Sequence, residues 1–122
     1  DTYNANPGSV RAAIDTLAAA DGNRVLILAD MLELGSISAD AHREIGEYAA
    51  ANIDEVWLTG IEVAATASGF GNRAHWFERR DDLIAAISGR FGRQDIVLVK
   101  GSRSMGMEHV VQALLAEQRE VG

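Results

Sequence analysis

The chain alternates short, unbroken apolar runs with segments whose apolar residues recur at helical spacing, and that order restricts its fold more than any other feature. Val25-Leu26-Ile27-Leu28 is apolar at four successive positions, the pattern of a strand covered on both faces. Val56-Trp57-Leu58-Thr59, closed by Gly60, reads as a second strand, Ala74-His75-Trp76-Phe77 as a short third, and Ile96 to Val99 as a buried fourth. Between these runs the period changes. Asn6-Pro7 reads as a cap followed by proline at the first helical position, with Val10, Ala13, Ile14 and Leu17 on one face and Gly22 as the stop. Ser38 is expected to cap a helix that runs to Asn52 and buries Ala41, Ile45, Tyr48 and Ala49. A short helix is expected over Ile61 to Ala67, then a turn cluster at Ser68 to Asn72. Another helix is expected from Asp81 or Asp82 through Leu83, Ile84 and Ile87 to a stop at Gly89. The last carries Met107, Val110, Val111, Leu114 and Leu115 on one face.

Strands that alternate with helices pair in parallel through right-handed crossovers. The expected fold class is therefore α/β: a Rossmann-like, doubly wound, mostly parallel sheet flanked by helices in three α/β/α layers. One domain is expected over residues 1–122. Because the sequence opens on a loop that feeds a helix, a strand is expected just ahead of Asp1.

Composition excludes several classes of function. There is no cysteine, so thiol catalysis, disulfides and cysteine-based zinc sites are ruled out. The formal net charge is −7 and no basic stretch is present, which argues against a nucleic-acid partner. No apolar run approaches the roughly 18 residues of a membrane helix, so no membrane insertion is expected. The location expected for such a chain is cytoplasmic. His42, His75 and His109 lack metal-ligand spacing. No GxSxG, GxGxxG or GxxxxGK[ST] string occurs, so the chain has no phosphate cradle with which to turn over ATP alone.

In a parallel sheet the loops after the strands gather at one rim, where ligands bind. Here that rim collects Asp1 to Asn6, Asp30 to Gly35, Thr59-Gly60 and Lys100 to Ser104. Lys100 is the only lysine beside ten arginines, and it follows an apolar run and precedes Gly101. A lysine there acts as a compact point charge for phosphate or carboxylate, where arginine would impose a planar fork. Asp30 and Glu33 read as loop stabilisers rather than magnesium ligands, and Ser102 and Ser104 as caps of the last helix or anion contacts at its start.

Three ordered segments then resemble one family. Asp1-Thr2-Tyr3-Asn4-Ala5-Asn6-Pro7 with Ser9 is similar to the DxYNANPxS segment of the Mur ligases; Asp30-Met31-Leu32-Glu33-Leu34-Gly35 with His42 and Gly46 resembles their GDMLELG…HxxxG stretch, with Ala29 in place of its first glycine. Lys100-Gly101-Ser102-Arg103-Ser104-Met105 with Met107-Glu108 resembles KGSRxMxME. The resemblance implies the C-terminal domain of a three-domain enzyme. Such an enzyme uses ATP and magnesium to form an acyl phosphate on UDP-N-acetylmuramoyl-tripeptide, which the amine of D-alanyl-D-alanine then attacks. It implies that Asp1 binds the ATP ribose hydroxyls, with Tyr3 and Asn4 beside the nucleotide or the dipeptide. Lys100, as the catalytic cation, would face the reacting centre or the dipeptide carboxylate together with Ser102 and Arg103. Asn6 joins Asn4 and these three among the substrate-binding residues, and with Pro7 holds the loop. The magnesium ligands and the ATP cradle are implied to lie mainly in the central domain, and the N-terminal and central domains are the implied intramolecular partners.

The alternative is a flavodoxin-like receiver or another nucleotide-binding signalling module. A receiver needs a phospho-accepting aspartate at the end of a middle strand, where this chain has Thr59-Gly60.

Overall fold

The computed structural model describes residues 5–121. Its elements run α1 (Pro7–Ala18), β1 (Asn23–Ala29), a 3-10 turn (Gly35–Ile37), α2 (Ser38–Asn52), β2 (Glu55–Thr59), α3 (Ala64–Phe70), β3 (His75–Phe77), α4 (Arg80–Ile87), β4 (Asp95–Lys100), a second 3-10 turn (Arg103–Met105) and α5 (Glu108–Val121). The four strands form one sheet in the order β3-β2-β1-β4, parallel at every pairing, with Ile27 opposite both Trp57 and Val99. This is the expected α/β doubly wound architecture.

β1 is the spine, because its side chains alternate between two cores. Leu26 and Leu28 face one layer with Val10, Ile14 and Leu17 of α1, Ile45 and Ala49 of α2, and Phe70 of α3. Val25 and Ile27 face the other with Trp57, Leu83 and Ile87 of α4, and Val110 of α5. Val25, Leu26, Ile27 and Leu28 are fully buried. Each such side chain contributes roughly 1.5–3 kcal/mol relative to exposure. That explains why the continuous apolar run announced a doubly covered strand.

α2 and α3 meet through two glycines. A Cβ on Gly46 would stand 2.1 Å from the Thr66 carbonyl oxygen, and one on Gly69 would stand 2.1 Å from that of Arg43. Only hydrogen at both positions lets the backbones approach this closely.

Four expectations are corrected. The fourth strand is not buried: β4 lies at the sheet edge and its residues are half-buried, with Ile96 exposed. The short helix sits three residues later than expected, at Ala64–Phe70, because the backbone after Gly60 is held in a loop by Asp30. Ser38 does not cap α2; the 3-10 turn feeds directly into the helix, and the Ser38 hydroxyl instead donates to Glu62 Oε1 at 2.5 Å. Along α5, Val110 is buried, but Val111 and Leu115, expected on the same packed face, are 39% and 47% exposed. Asn6 performs as read, its Oδ1 accepting the Ser9 N–H at 2.9 Å while Ser9 Oγ accepts the Asn6 N–H at 3.1 Å.

Candidate functional site

All strands being parallel, the loops after β1, β2 and β4 emerge at one rim, and they are tied to one another there. Asp30 follows the last residue of β1 and is 6% exposed. Its Oδ1 accepts the Val63 N–H at 3.0 Å and its Oδ2 the Ile61 N–H at 3.1 Å, fixing the loop between β2 and α3. Gly60 makes room for it: at φ 126° it adopts a conformation that side-chain-bearing residues rarely take, and a Cβ would lie 2.3 Å from Asp30 Oδ1. Asp30 thus stabilises the loop, as the sequence indicated.

Two further ties complete the rim. His42 on α2 is fully buried; its Nδ1 donates to the Ser38 carbonyl at 2.8 Å, which leaves Nε2 to accept the Met31 N–H at 3.0 Å. Ser102 Oγ accepts the Leu32 N–H at 3.2 Å, joining the loop after β4 to the loop after β1. Glu33 turns that loop with φ 65°. Ser102 is therefore committed to the scaffold through one lone pair, and neither it nor Ser104 caps α5: Ser102 precedes the turn at Arg103–Met105, Ser104 lies within it, and α5 starts only at Glu108.

Lys100 ends β4 at this rim, half-buried, and Arg103 is exposed two residues after Gly101. With Ser102 they line one open cavity, whose wall continues through Met107 and Glu108 at the start of α5. Two cations, Lys100 and Arg103, and one carboxylate, Glu108, therefore stand on the wall of the same cavity. Asn6 begins α1 at the same rim. Asp1, Tyr3 and Asn4 lie outside the described residues.

One supporting residue escaped the sequence reading. Arg80 donates from Nη1 to the Met105 carbonyl at 3.3 Å and the Gly106 carbonyl at 3.2 Å, holding the loop that carries Ser102 and Arg103. Nothing in its local sequence signals this contact, which spans 25 residues of chain. Among the described residues no group of three histidine, aspartate or glutamate side chains is placed to hold a metal ion, and both Asp30 oxygens are engaged by N–H donors. The groups with displaced pKa values stand away from the rim. Hydrogen bonds from the Arg24 side chain and backbone N–H hold Asp54 below the usual carboxylate range, and burial lowers that of His75, which stacks on Trp57 at 3.8 Å.

The glutamate ligase domain of the Mur ligases matches residues 1–103. The UDP-N-acetylmuramoyl-tripeptide–D-alanyl-D-alanine ligase of Escherichia coli (strain K12) is 45% identical over 119 residues, spanning 93% of this chain and 26% of that protein. The protein of the same name from Bacillus subtilis (strain 168) is 33% identical over 123 residues, spanning 94% and 27%. Among solved structures, MurF from Thermotoga maritima in complex with ADP aligns with a TM-score of 0.84 at 25% identity, over 100% of this chain and 28% of that one. MurF from Acinetobacter baumannii aligns with a TM-score of 0.81 at 30% identity, over 95% and 26%. The chain spans about a quarter of the length of these relatives.

Proposed function

The chain belongs to the Mur ligase family, and on that footing we propose that it is the closing domain of an ATP-dependent ligase that joins D-alanyl-D-alanine to UDP-N-acetylmuramoyl-tripeptide. The observation that carries this reading is the rim itself: Lys100, Ser102 and Arg103 line one cavity on a loop fixed to its neighbours before any ligand arrives. The ADP in the Thermotoga relative supports ATP as the energy source.

ATP would phosphorylate the tripeptide carboxylate elsewhere in the enzyme, releasing ADP. The dipeptide amine would then attack the acyl phosphate and expel inorganic phosphate. Negative charge would develop on the phosphoryl group and on the tetrahedral oxyanion, and the Lys100 ammonium would stabilise it as a point charge. A preorganised donor or cation of this kind typically contributes about 10²–10³ in rate. The Arg103 guanidinium suits the dipeptide carboxylate through paired N–H donors. Asp1, Tyr3 and Asn4, which precede α1 in the sequence, would meet the nucleotide, and Asn6 caps the start of α1. Closure of the domain would exclude water that otherwise hydrolyses the acyl phosphate. Magnesium, when bound, neutralises phosphate charge; its ligands are proposed to come from the central domain, and the reaction is placed in the cytoplasm.

The test is phosphate release by the full-length protein with ATP, magnesium, UDP-N-acetylmuramoyl-tripeptide and D-alanyl-D-alanine. Release that requires both the nucleotide-sugar peptide and the dipeptide is expected, and release indifferent to the dipeptide would overturn the reading. In the same assay Lys100→Ala should lower turnover by about 10²-fold with little change in stability; unchanged turnover would remove Lys100 from the site.

A further inference from the structure

We infer that Arg80 is a positioning residue for the site: it acts through the turn it straps down, and so sets how tightly Arg103 takes the carboxylate of the incoming dipeptide. The part that concerns the dipeptide rests on the ligase reading proposed above. Arg80 does not itself line the cavity. It opens α4, whose Leu83 and Ile87 are buried in the second core, so its backbone is firmly placed. From there Nη1 reaches the end of the turn Arg103–Met105 and donates to two successive carbonyls, those of Met105 and Gly106. The turn is shaped to receive the guanidinium. Gly106 closes it in the left-handed region, at φ 63° and ψ 37°, and a Cβ there would stand 2.1 Å from Arg80 Nη1.

Two ties bracket Arg103. Before it, Ser102 Oγ accepts the Leu32 N–H; after it, Arg80 holds Met105 and Gly106, so only Arg103 and Ser104 lie between the anchored residues. The turn's own bonds run from the Met105 N–H to the Ser102 carbonyl at 2.9 Å and from the Gly106 N–H to the Arg103 carbonyl at 3.2 Å. So short a 3-10 segment is not held by its own bonds alone. Arg80 also brings more than a strap requires. Both its acceptors are neutral carbonyls, which need only neutral N–H donors. It is half-buried, forms no ion pair among the described residues, and keeps its Nε buried without an acceptor. A cation placed so is costly unless a counter-charge arrives. Its charge therefore favours an anion on the loop it holds, where Arg103 and Lys100 line the cavity. A carboxylate taken by Arg103 meets both effects, a fixed guanidinium and a further positive charge behind the turn.

The test uses the full-length protein with Arg80→Gln and Arg80→Lys beside the unaltered enzyme. Trypsin reads the strap without reference to ligase activity. Cleavage after the exposed Arg103, followed by mass, should be at least about 10-fold faster in Arg80→Gln. It should be intermediate in Arg80→Lys, which keeps charge and donors but not the planar fork. Phosphate release then reads the site. In Arg80→Gln the KM for D-alanyl-D-alanine should rise about 10-fold or more, while kcat at saturating dipeptide changes by less than about 3-fold and the KM for ATP holds. D-alanyl-D-alaninamide keeps the attacking amine and lacks the carboxylate, so with it the same substitution should move KM by less than about 2-fold. An equal rise for dipeptide and amide would make Arg80 a structural strap alone and overturn the proposal. Unchanged cleavage after Arg103 in both variants would overturn it as well. If the unaltered enzyme releases no phosphate in response to the dipeptide, the ligase reading falls, and cleavage after Arg103 still decides whether Arg80 fixes the turn.

Discussion

Replacing Asp30 with alanine tests whether the rim is held by this one side chain. Its two oxygens accept two backbone N–H groups, one of them, Val63, buried and the other, Ile61, in a partly exposed loop. Without an acceptor the buried N–H costs about 1–3 kcal/mol, and the exposed one, which water can reach, about 0.5–1.5 kcal/mol. The expected loss is therefore roughly 2–4 kcal/mol, a large share of the roughly 6–18 kcal/mol typical for a chain of this size. Asp30→Asn keeps one acceptor and should lose about half as much. Urea unfolding of the 122-residue chain, followed by the fluorescence of Trp57 and Trp76, measures both. Gly60→Ala provides a cross-check, since its Cβ would collide with Asp30 Oδ1. Part of its cost should vanish in the Asp30→Ala background, giving a coupling above about 0.5 kcal/mol. A loss below about 1 kcal/mol for Asp30→Ala, or strictly additive costs in the double variant, would refute the reasoning.

Two other outcomes follow from the same structure. Gly46→Ala places a methyl group against the Thr66 carbonyl and should destabilise by at least about 1–3 kcal/mol despite alanine's better helix propensity; equal or higher stability in thermal unfolding would mean that α2 and α3 do not approach as described. Burial against Trp57 lowers the His75 pKa, so the unfolded chain binds a proton more readily than the folded one. The stability this contributes is complete above the unfolded value of about 6.5 and is lost as pH falls from there toward the folded value. His75→Phe should flatten the decline between about pH 7 and 5, and an unchanged pH profile of the unfolding midpoint would exclude His75 as its source.

Much of the fold was legible because local pattern and tertiary environment agreed. Val25 to Leu28 are buried on both faces, and Asn6-Pro7 caps α1 as its residue types dictate. The start of α3 was misplaced because propensity favours helix from Ile61 onward, whereas Asp30, 31 residues earlier, holds that N–H in a loop. Ser38 was misread for a similar reason: its hydroxyl donates to Glu62 across the fold and caps no N–H of its own helix. β4 shows the complementary error. Its apolar run is as continuous as that of β1, and the run alone does not distinguish a central strand from one at the sheet edge. At the site, Lys100 and Ser102 stood out by residue type and placement, but Arg80 reaches its carbonyl partners only through the fold.

The ties among the rim loops bear on how such an enzyme moves. Asp30, His42 and Ser102 fasten the loops after β1, β2 and β4 to one another through buried or half-buried hydrogen bonds. Little slack remains for any one loop to swing alone toward a ligand. On the proposed reading, closure would be rotation of an undeformed block, so the contacts of Lys100 and Arg103 would engage and release together. On that reading, cutting one of these ties would blur the site by loosening a single loop, without changing the path of closure.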